Sequence, residues 1–259
     1  MNAYSEILTA LEKIIRDACE KYLAEKPQTF SHKTVNDILT DTDLKMQKYI
    51  LGEMEKAYPN VKIISEEKDN EELRDGLCVC VDPLDGTCNF SAGIPMYGVQ
   101  AAVFEGKQPV ASIIRLPLSD ETYMAAVGEG VTKNGERLIL DMSTQREEAV
   151  LLISDFYPNI DVDFDKQYEL VKRLQSRFLK TRLFGAACFD FSMLLTGKAQ
   201  AYVCYYHEIW DIAPGLLMAK ELGMNVGSLF GGYKFKDSSL VIASSKEIAD
   251  EIRAVYKTL

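Results

Sequence analysis

The stretch that most constrains this chain is Leu77-Cys78-Val79-Cys80-Val81-Asp82-Pro83-Leu84-Asp85-Gly86-Thr87. Its apolar run leaves no polar face, so Leu77–Val81 is predicted to be a central strand covered on both sides. At Asp82 the run breaks. Pro83 fixes its φ and removes a donor, and Asp85-Gly86 favour a sharp turn. Two carboxylates three residues apart on such a turn can face one point, with the Leu84 carbonyl between them. Thr87 is expected at or just before the start of a short helix, where the Gly86 and Thr87 amides offer a phosphate site. One loop thus places hard-cation ligands beside an anion-binding backbone, the pairing that metal-assisted phosphate chemistry needs. Taken alone, Asp-Pro-Leu-Asp-Gly also reads as an ordinary turn, because these residues favour turns for local reasons.

Around that loop the periodicities sort the chain into two styles. Ile7, Leu8, Leu11, Ile14, Ile15, Ala18 and Tyr22 recur at three- and four-residue spacing, which predicts an amphipathic helix from Ser5 to Tyr22. A second helix is expected from about Asp43 to Ala57, capped by Thr40, Asp41 or Thr42 and followed by Pro59. Strands are expected at Val61–Ser65, Tyr97–Glu105, Pro109–Leu116 and Glu121–Val127, with a tight turn at Asn134-Gly135. Such close succession means an antiparallel meander. The remainder alternates: strands at Val150–Ile153, Ala201–Cys204 and Leu240–Ala243, helices at Lys166–Phe178, Ala187–Leu195, Ile212–Leu222 and Lys246–Tyr256. Helices on the faces of sheets imply a layered α/β body. The change of style predicts an N-terminal α+β subdomain over 1–140 and a C-terminal α/β subdomain over 141–259. No flexible linker separates them, so they are expected to pack as one compact unit.

Composition narrows the function classes. The formal charge is −10 with no basic run, which argues against nucleic acid and anionic membranes as partners. It suits cation binding if carboxylates converge. No apolar run approaches the ~18 residues of a membrane span, and the N-terminus shows no basic or apolar leader, so a cytoplasmic location is expected. Six cysteines and two histidines read as reduced core thiols rather than a disulfide frame or a zinc set.

Further acidic positions sit where elements begin or end. Glu66 and Glu67 follow a strand; at the end of an interior strand beside Asp82, Glu66 can complete a cation site, whereas an exposed pair would simply be solvated. Asp211 precedes an apolar helix and can either face the same site or cap that helix. Asp41 and Asp43 invite the same capping explanation.

With these residues in view, the chain resembles the inositol monophosphatase family, within the lithium-sensitive, magnesium-dependent phosphatase superfamily that includes fructose-1,6-bisphosphatases. Residues 82–90 fit the family's Asp-Pro-(Ile/Leu)-Asp-Gly-Thr-x-Asn-Phe signature, and Trp210 through Gly215 fit Trp-Asp-(Ile/Val)-Ala-x-Gly. Phe184-Gly185-Ala186-Ala187, Thr196–Tyr202, Lys33–Asp43 and Gly128–Gly135 resemble further family stretches, so the similarity spans nearly the whole chain. The resemblance implies a layered α/β/α/β/α sandwich, a homodimer, two or three Mg²⁺ ions per site, and hydrolysis of a small phosphate monoester by metal-activated water. By position it implies Glu66, Asp82, the Leu84 carbonyl, Asp85 and Asp211 as metal ligands. Thr87 and Glu66 match the groups that orient the attacking water, with Asp43 near a weaker metal and the water network. Gly86, Thr87, Asp85, Asp211, Ala186 and Lys33 match substrate contacts, Lys33 from a mobile loop.

Some positions depart from the inositol pattern. Cys204 lies where inositol-specific members tend to carry an acidic residue for a ring hydroxyl, and cysteine is a weak partner for one. His207 or Glu208 can substitute, or both are exposed loop residues. Gly93-Ile94-Pro95 is similar to members that act on fructose-1,6-bisphosphate. The substrate expected is therefore inositol monophosphate or a related sugar or polyol phosphate. Fructose-1,6-bisphosphate, histidinol phosphate and a nucleotide 3′-phosphate are alternatives, and a regulatory protein-binding relative is the rival from another class.

Overall fold

The computed structural model describes residues 3–24, 27, 29–34, 37–67, 76–156, 164–205, 207–234 and 239–259. The chain opens with α1 (Ala3–Tyr22), the hairpin β1 (Phe30–Thr34) and β2 (Asp37–Thr40), and α2 (Asp41–Ala57). Then follow β3 (Lys62–Ser65), β4 (Leu77–Asp85), α3 (Thr87–Ala92), β5 (Gly98–Glu105), β6 (Gln108–Leu116), β7 (Glu121–Ala126), β8 (Gly130–Lys133) and β9 (Glu136–Arg137). The rest is β10 (Val150–Ile153), α4 (Phe164–Leu174), β11 (Lys180–Arg182), α5 (Ala187–Leu195), β12 (Ala201–Cys204), α6 (Ile209–Glu221), β13 (Asn225–Gly227), β14 (Leu240–Ala243) and α7 (Lys246–Tyr256).

Strands β3 to β9 form a seven-stranded sheet in sequence order. All its pairs are antiparallel except β3–β4, which is parallel. The second sheet has the order β11-β10-β12-β14-β13 and is mixed. Apolar side chains stack these sheets with helices into five layers. Ile7, Leu11 and Ile15 of α1 and Met46, Ile50 and Met54 of α2 pack on Val79, Val81, Val99, Val103 and Ile113 of the large sheet. Ile114 and Tyr123 face the opposite way, onto Phe191 and Leu194 of α5 and Leu216 and Leu217 of α6. Leu152, Tyr202 and Ile242 close that middle core from the second sheet. Leu151, Ile153, Val203 and Val241 pack outward, with Leu170 and Leu174 of α4 and Ile248 and Ile252 of α7. The α/β/α/β/α sandwich is therefore present, and each fully buried Leu, Ile or Val adds about 1.5–3 kcal/mol of hydrophobic stabilisation.

The double-sided burial of β4 explains its sequence. Val79 and Val81 face α1 and α2, while Cys78 and Cys80 face Trp210 and Ala213 of α6. The strand runs on past Val81 to Asp85, with a register shift between Asp82 and Asp85. Helix α2 begins at Asp41 rather than near Asp43, because Thr40 and Asp43 close a capping box. Helix α6 begins at Ile209 rather than Ile212, and α4 ends at Leu174 rather than Phe178. Strand β3 lies at the edge of the described sheet, not in its interior. The hairpin β1–β2 and the short β11 and β13 lacked a readable pattern; β1, for instance, is mostly exposed and polar. Among the described residues no helix is long and apolar enough to cross a membrane.

The middle layer is tightest where α5 crosses α6. A Cβ on Gly215 would stand 2.0 Å from the Phe191 ring. Gly215→Ala is therefore expected to destabilise by about 3 kcal/mol or more, read as a fall in the midpoint of urea unfolding. An unchanged midpoint would contradict this packing.

Candidate active site

The local chemistry of β4 builds the first wall of the site. Ser65 of β3 pairs with Val81 in parallel register, and the Glu66 amide donates to the Val81 carbonyl at 3.3 Å. That register brings Glu66 out beside Asp82. The register shift after Asp82 frees Pro83 and Leu84 from the ladder, and the Leu84 amide donates to Asp82 Oδ1 at 3.1 Å. Asp82 thereby folds over its own turn. Gly86 is the N-cap of α3 with φ +83°, a conformation that favours glycine. A Cβ there would also stand 2.9 Å from both the Ala186 Cβ and the Met96 carbonyl. This close approach seats the loop against the start of α5.

The second wall comes from the middle helices. Asp85 Oδ2 accepts the Cys188 amide, and the Ala187 amide also points to it, so this carboxylate sits on the N-terminus of α5. Asp211 is the third residue of α6, not its N-cap: Glu208 takes that place, and its amide donates to Asp211 Oδ2 at 3.3 Å. Glu66, Asp82, Leu84, Asp85, Gly86, Thr87, Ala186 and Asp211 all line one cavity of about 380 Å³.

Two expected residues sit outside that lining. Asp43 is buried, with Oδ2 accepting the Thr40 amide at 2.8 Å as well as the Thr40 hydroxyl. Its Oδ1 lies 2.8 Å from Thr87 Oγ1, which is also 2.9 Å from the Leu84 carbonyl. The capping explanation for Asp43 thus holds, and the same carboxylate holds Thr87 from behind. Lys33, on β1, donates to Glu66 Oε1 at 2.7 Å and also to Glu67, and its Nζ is 3.8 Å from Asp37. Burial would lower its pKa, but Glu66 and Glu67 outweigh that and raise it above the ordinary lysine value.

Electrostatically the cavity is one-sided. Burial drives the Asp82 pKa well above the usual carboxylate range, and Glu66, Asp85 and Asp211 push the same way. Asp211 is raised by burial first, then by Asp85 and Glu66. Burial lifts Asp85 to about 6 against the pull of the Cys188 and Ala187 donors. Asp43 is also raised by burial, opposed by Thr40 and Thr87. Among the described residues, none of Asp82, Asp85 and Asp211 makes an ion pair, and no three acidic, His or Cys side chains converge closely enough to hold a metal ion in their present positions. The donor set is four carboxylates and a carbonyl, all oxygen, which fits a hard divalent cation that keeps some of its waters.

A model of the inositol monophosphatase family matches residues 2–258. The chain belongs to this family. It is 31% identical over 216 residues to a Thermotoga maritima protein named fructose-1,6-bisphosphatase/inositol-1-monophosphatase, covering 83% of this chain and 81% of that one. It is 32% identical over 239 residues to the Nus factor SuhB of Vibrio cholerae, covering 89% and 87%. The solved extragenic suppressor protein suhB of Bartonella henselae superposes with a TM-score of 0.89 at 25% identity, covering 97% of this chain and 98% of that one.

The Asp-Pro-Leu-Asp-Gly-Thr and Trp-Asp signatures both open onto the cavity, through Asp82, Leu84–Cys88, Asp211 and Ile212. Sequence reasoning did not single out Asp155, which follows β10, or Asp190 of α5, both of which line it. A signal for Asp190 was available: it is the lone charge in an otherwise apolar helix. His207 also lines the cavity and is half-buried, so it is not an exposed loop residue, whereas Glu208 serves as the α6 cap. Cys88 is exposed at the cavity, unlike the other five cysteines, which are buried.

Asn89 locks the two walls together. Its Nδ2 lies 2.8 Å from the Met96 carbonyl and 2.7 Å from the Phe184 carbonyl. Asn89→Ala leaves both acceptors without this donor and is expected to cost about 1–3 kcal/mol. Equilibrium unfolding checks this, and Asn89→Asp, which cannot donate, is expected to show a comparable loss.

Proposed function

We propose that this protein is a Mg²⁺-dependent phosphomonoesterase that cleaves a small sugar or polyol phosphate, such as inositol monophosphate, by direct attack of water. The observation that carries this reading is the meeting in one cavity of the β4 turn, Glu66 and Asp211, on the N-terminal side of α3 and α5. Glu66, Asp82, Asp85, Asp211 and the Leu84 carbonyl would hold the cations. Bound Mg²⁺ supplies positive charge that neutralises phosphoryl oxygens and acidifies water.

The chain's own groups do the positioning. The Gly86 and Thr87 amides orient the phosphate. Thr87 has one hydroxyl proton and two nearby acceptors, Asp43 Oδ1 and the Leu84 carbonyl. Donating to either leaves its lone pairs free to accept from the attacking water, and Glu66 accepts from the same water on the other side. Lys33 would bring a positive charge to the mouth from β1, and Ala186 would contact the substrate from the cavity lining. The reading includes a homodimer and a cytoplasmic setting, where the six free thiols stay reduced. The Nus factor name of the Vibrio cholerae relative favours a second reading, a protein-binding regulator on the same fold.

Asp82→Asn is expected to fold with an unchanged far-UV spectrum and to lose more than about a hundredfold of kcat on inositol-1-phosphate at saturating Mg²⁺. Retained wild-type turnover would refute the metal assignment. An Asp82→Asn protein that keeps its cellular role would favour the regulator.

Cation binding also has a pH signature. Asp82, Asp85 and Asp211 have folded pKa values raised above their unfolded ones, so their contribution to stability is fully present below about pH 4. It is lost as pH rises, through about 6 for Asp85. Cations compete with those protons, so the gain in Tm on adding Mg²⁺ to the chelated protein is expected to grow from about pH 5 to about pH 8. A gain independent of pH would contradict cation binding by these carboxylates.

A further inference from the structure

The wall that the second sheet and α5 contribute holds two carboxylates that the proposed reaction leaves without a task. Asp190 is 2% exposed, and its Oδ1 is buried without a hydrogen-bond partner. Asp155 is exposed to the cavity, and its Oδ2 stands 3.4 Å from where a Cβ on Gly185 would be, next to Ala186. Both line the cavity together with Ala186, and Asp85 and Asp155 are the charges that act most on Asp190. The cavity lining among the described residues contains seven carboxylates and no Lys or Arg. Lys33 at the mouth is engaged by Glu66 and Glu67.

An ionised carboxylate only accepts hydrogen bonds, and burial beside Asp85 and Asp155, which pushes the Asp190 pKa up, makes its charge costly until a donor reaches it. This wall therefore calls for a ligand that brings donors. Hydroxyl groups meet that need, whereas a second phosphate brings negative charge towards two carboxylates with no cation to offset it. We propose that Asp155 and Asp190 are specificity-determining residues that select an uncharged, hydroxyl-bearing leaving group and exclude substrates with a second phosphate. The inference rests on the phosphomonoesterase reading and narrows its substrate class to monophosphates. Sugar bisphosphates and nucleotide bisphosphates fall outside that class, although the Thermotoga maritima relative has a name that includes fructose-1,6-bisphosphatase.

The test compares kcat/KM for fructose-1-phosphate and fructose-1,6-bisphosphate, the same sugar with and without the extra phosphate, in Mg²⁺. The wild type is expected to prefer the monophosphate by about tenfold or more, with the preference shrinking as salt is added. Asp155→Asn is expected to reduce that preference by about tenfold and Asp155→Glu to keep it, which a merely structural role for Asp155 would not produce. Asp190→Asn is expected to shift the ratio the same way. If Asp190→Asn does not fold, Asp155→Asn decides by itself. Equal use of the two esters by the wild type, or a ratio unmoved in folded Asp155→Asn, would overturn the inference and leave the phosphatase reading standing. Turnover of neither ester, nor of inositol-1-phosphate, would overturn both.

Discussion

The carboxylate of Asp85 joins the two halves of this molecule. It leaves the end of β4 and accepts amides at the start of α5, 103 residues further along the chain. A charge at a helix N-terminus is favourable, and here it also fixes where the second wall of the cavity stands. Gly86 makes the approach possible, because any Cβ there would meet Ala186. Asn89 repeats the link with its bond to the Phe184 carbonyl. Without these contacts the loop and the helix would still form, but they would not bound a common space.

That shared space concentrates negative charge. Asp82 is almost wholly buried, and its neighbours raise its pKa rather than relieve it. Such an arrangement works against folding unless something positive enters. The hydrophobic layers supply the opposing stability: α1 and α2 on one side of the large sheet, α5 and α6 on the other. The fold therefore keeps these carboxylates on one cavity through apolar packing, against the repulsion of like charges.

Much of this was legible in the chain because the signals are local. The double-sided burial of β4 follows from five apolar residues in a row, and α5, β12, β14 and α7 begin and end where their periodicities do. The misplaced boundaries have local causes as well. Helix α6 starts early because Glu208 supplies its cap, which leaves Asp211 in the first turn. The edge position of β3 was not legible, since a short apolar strand reads the same at an edge as in the interior.

The candidate site divides along the same line. Its acidic turn, its glycine and its Trp-Asp helix are written in consecutive residues, so the sequence alone determined the kind of chemistry that could gather there. Which side chains share the cavity depends on contacts between distant segments. Asp43 went behind Thr87, Lys33 to Glu66, and Asp155 and Asp190 to the same cavity as Asp82 only because the two sheets pack around α5 and α6. Local pattern fixes an element and its turn; the position of one element against another is set by long-range packing, and only the tertiary structure decides it.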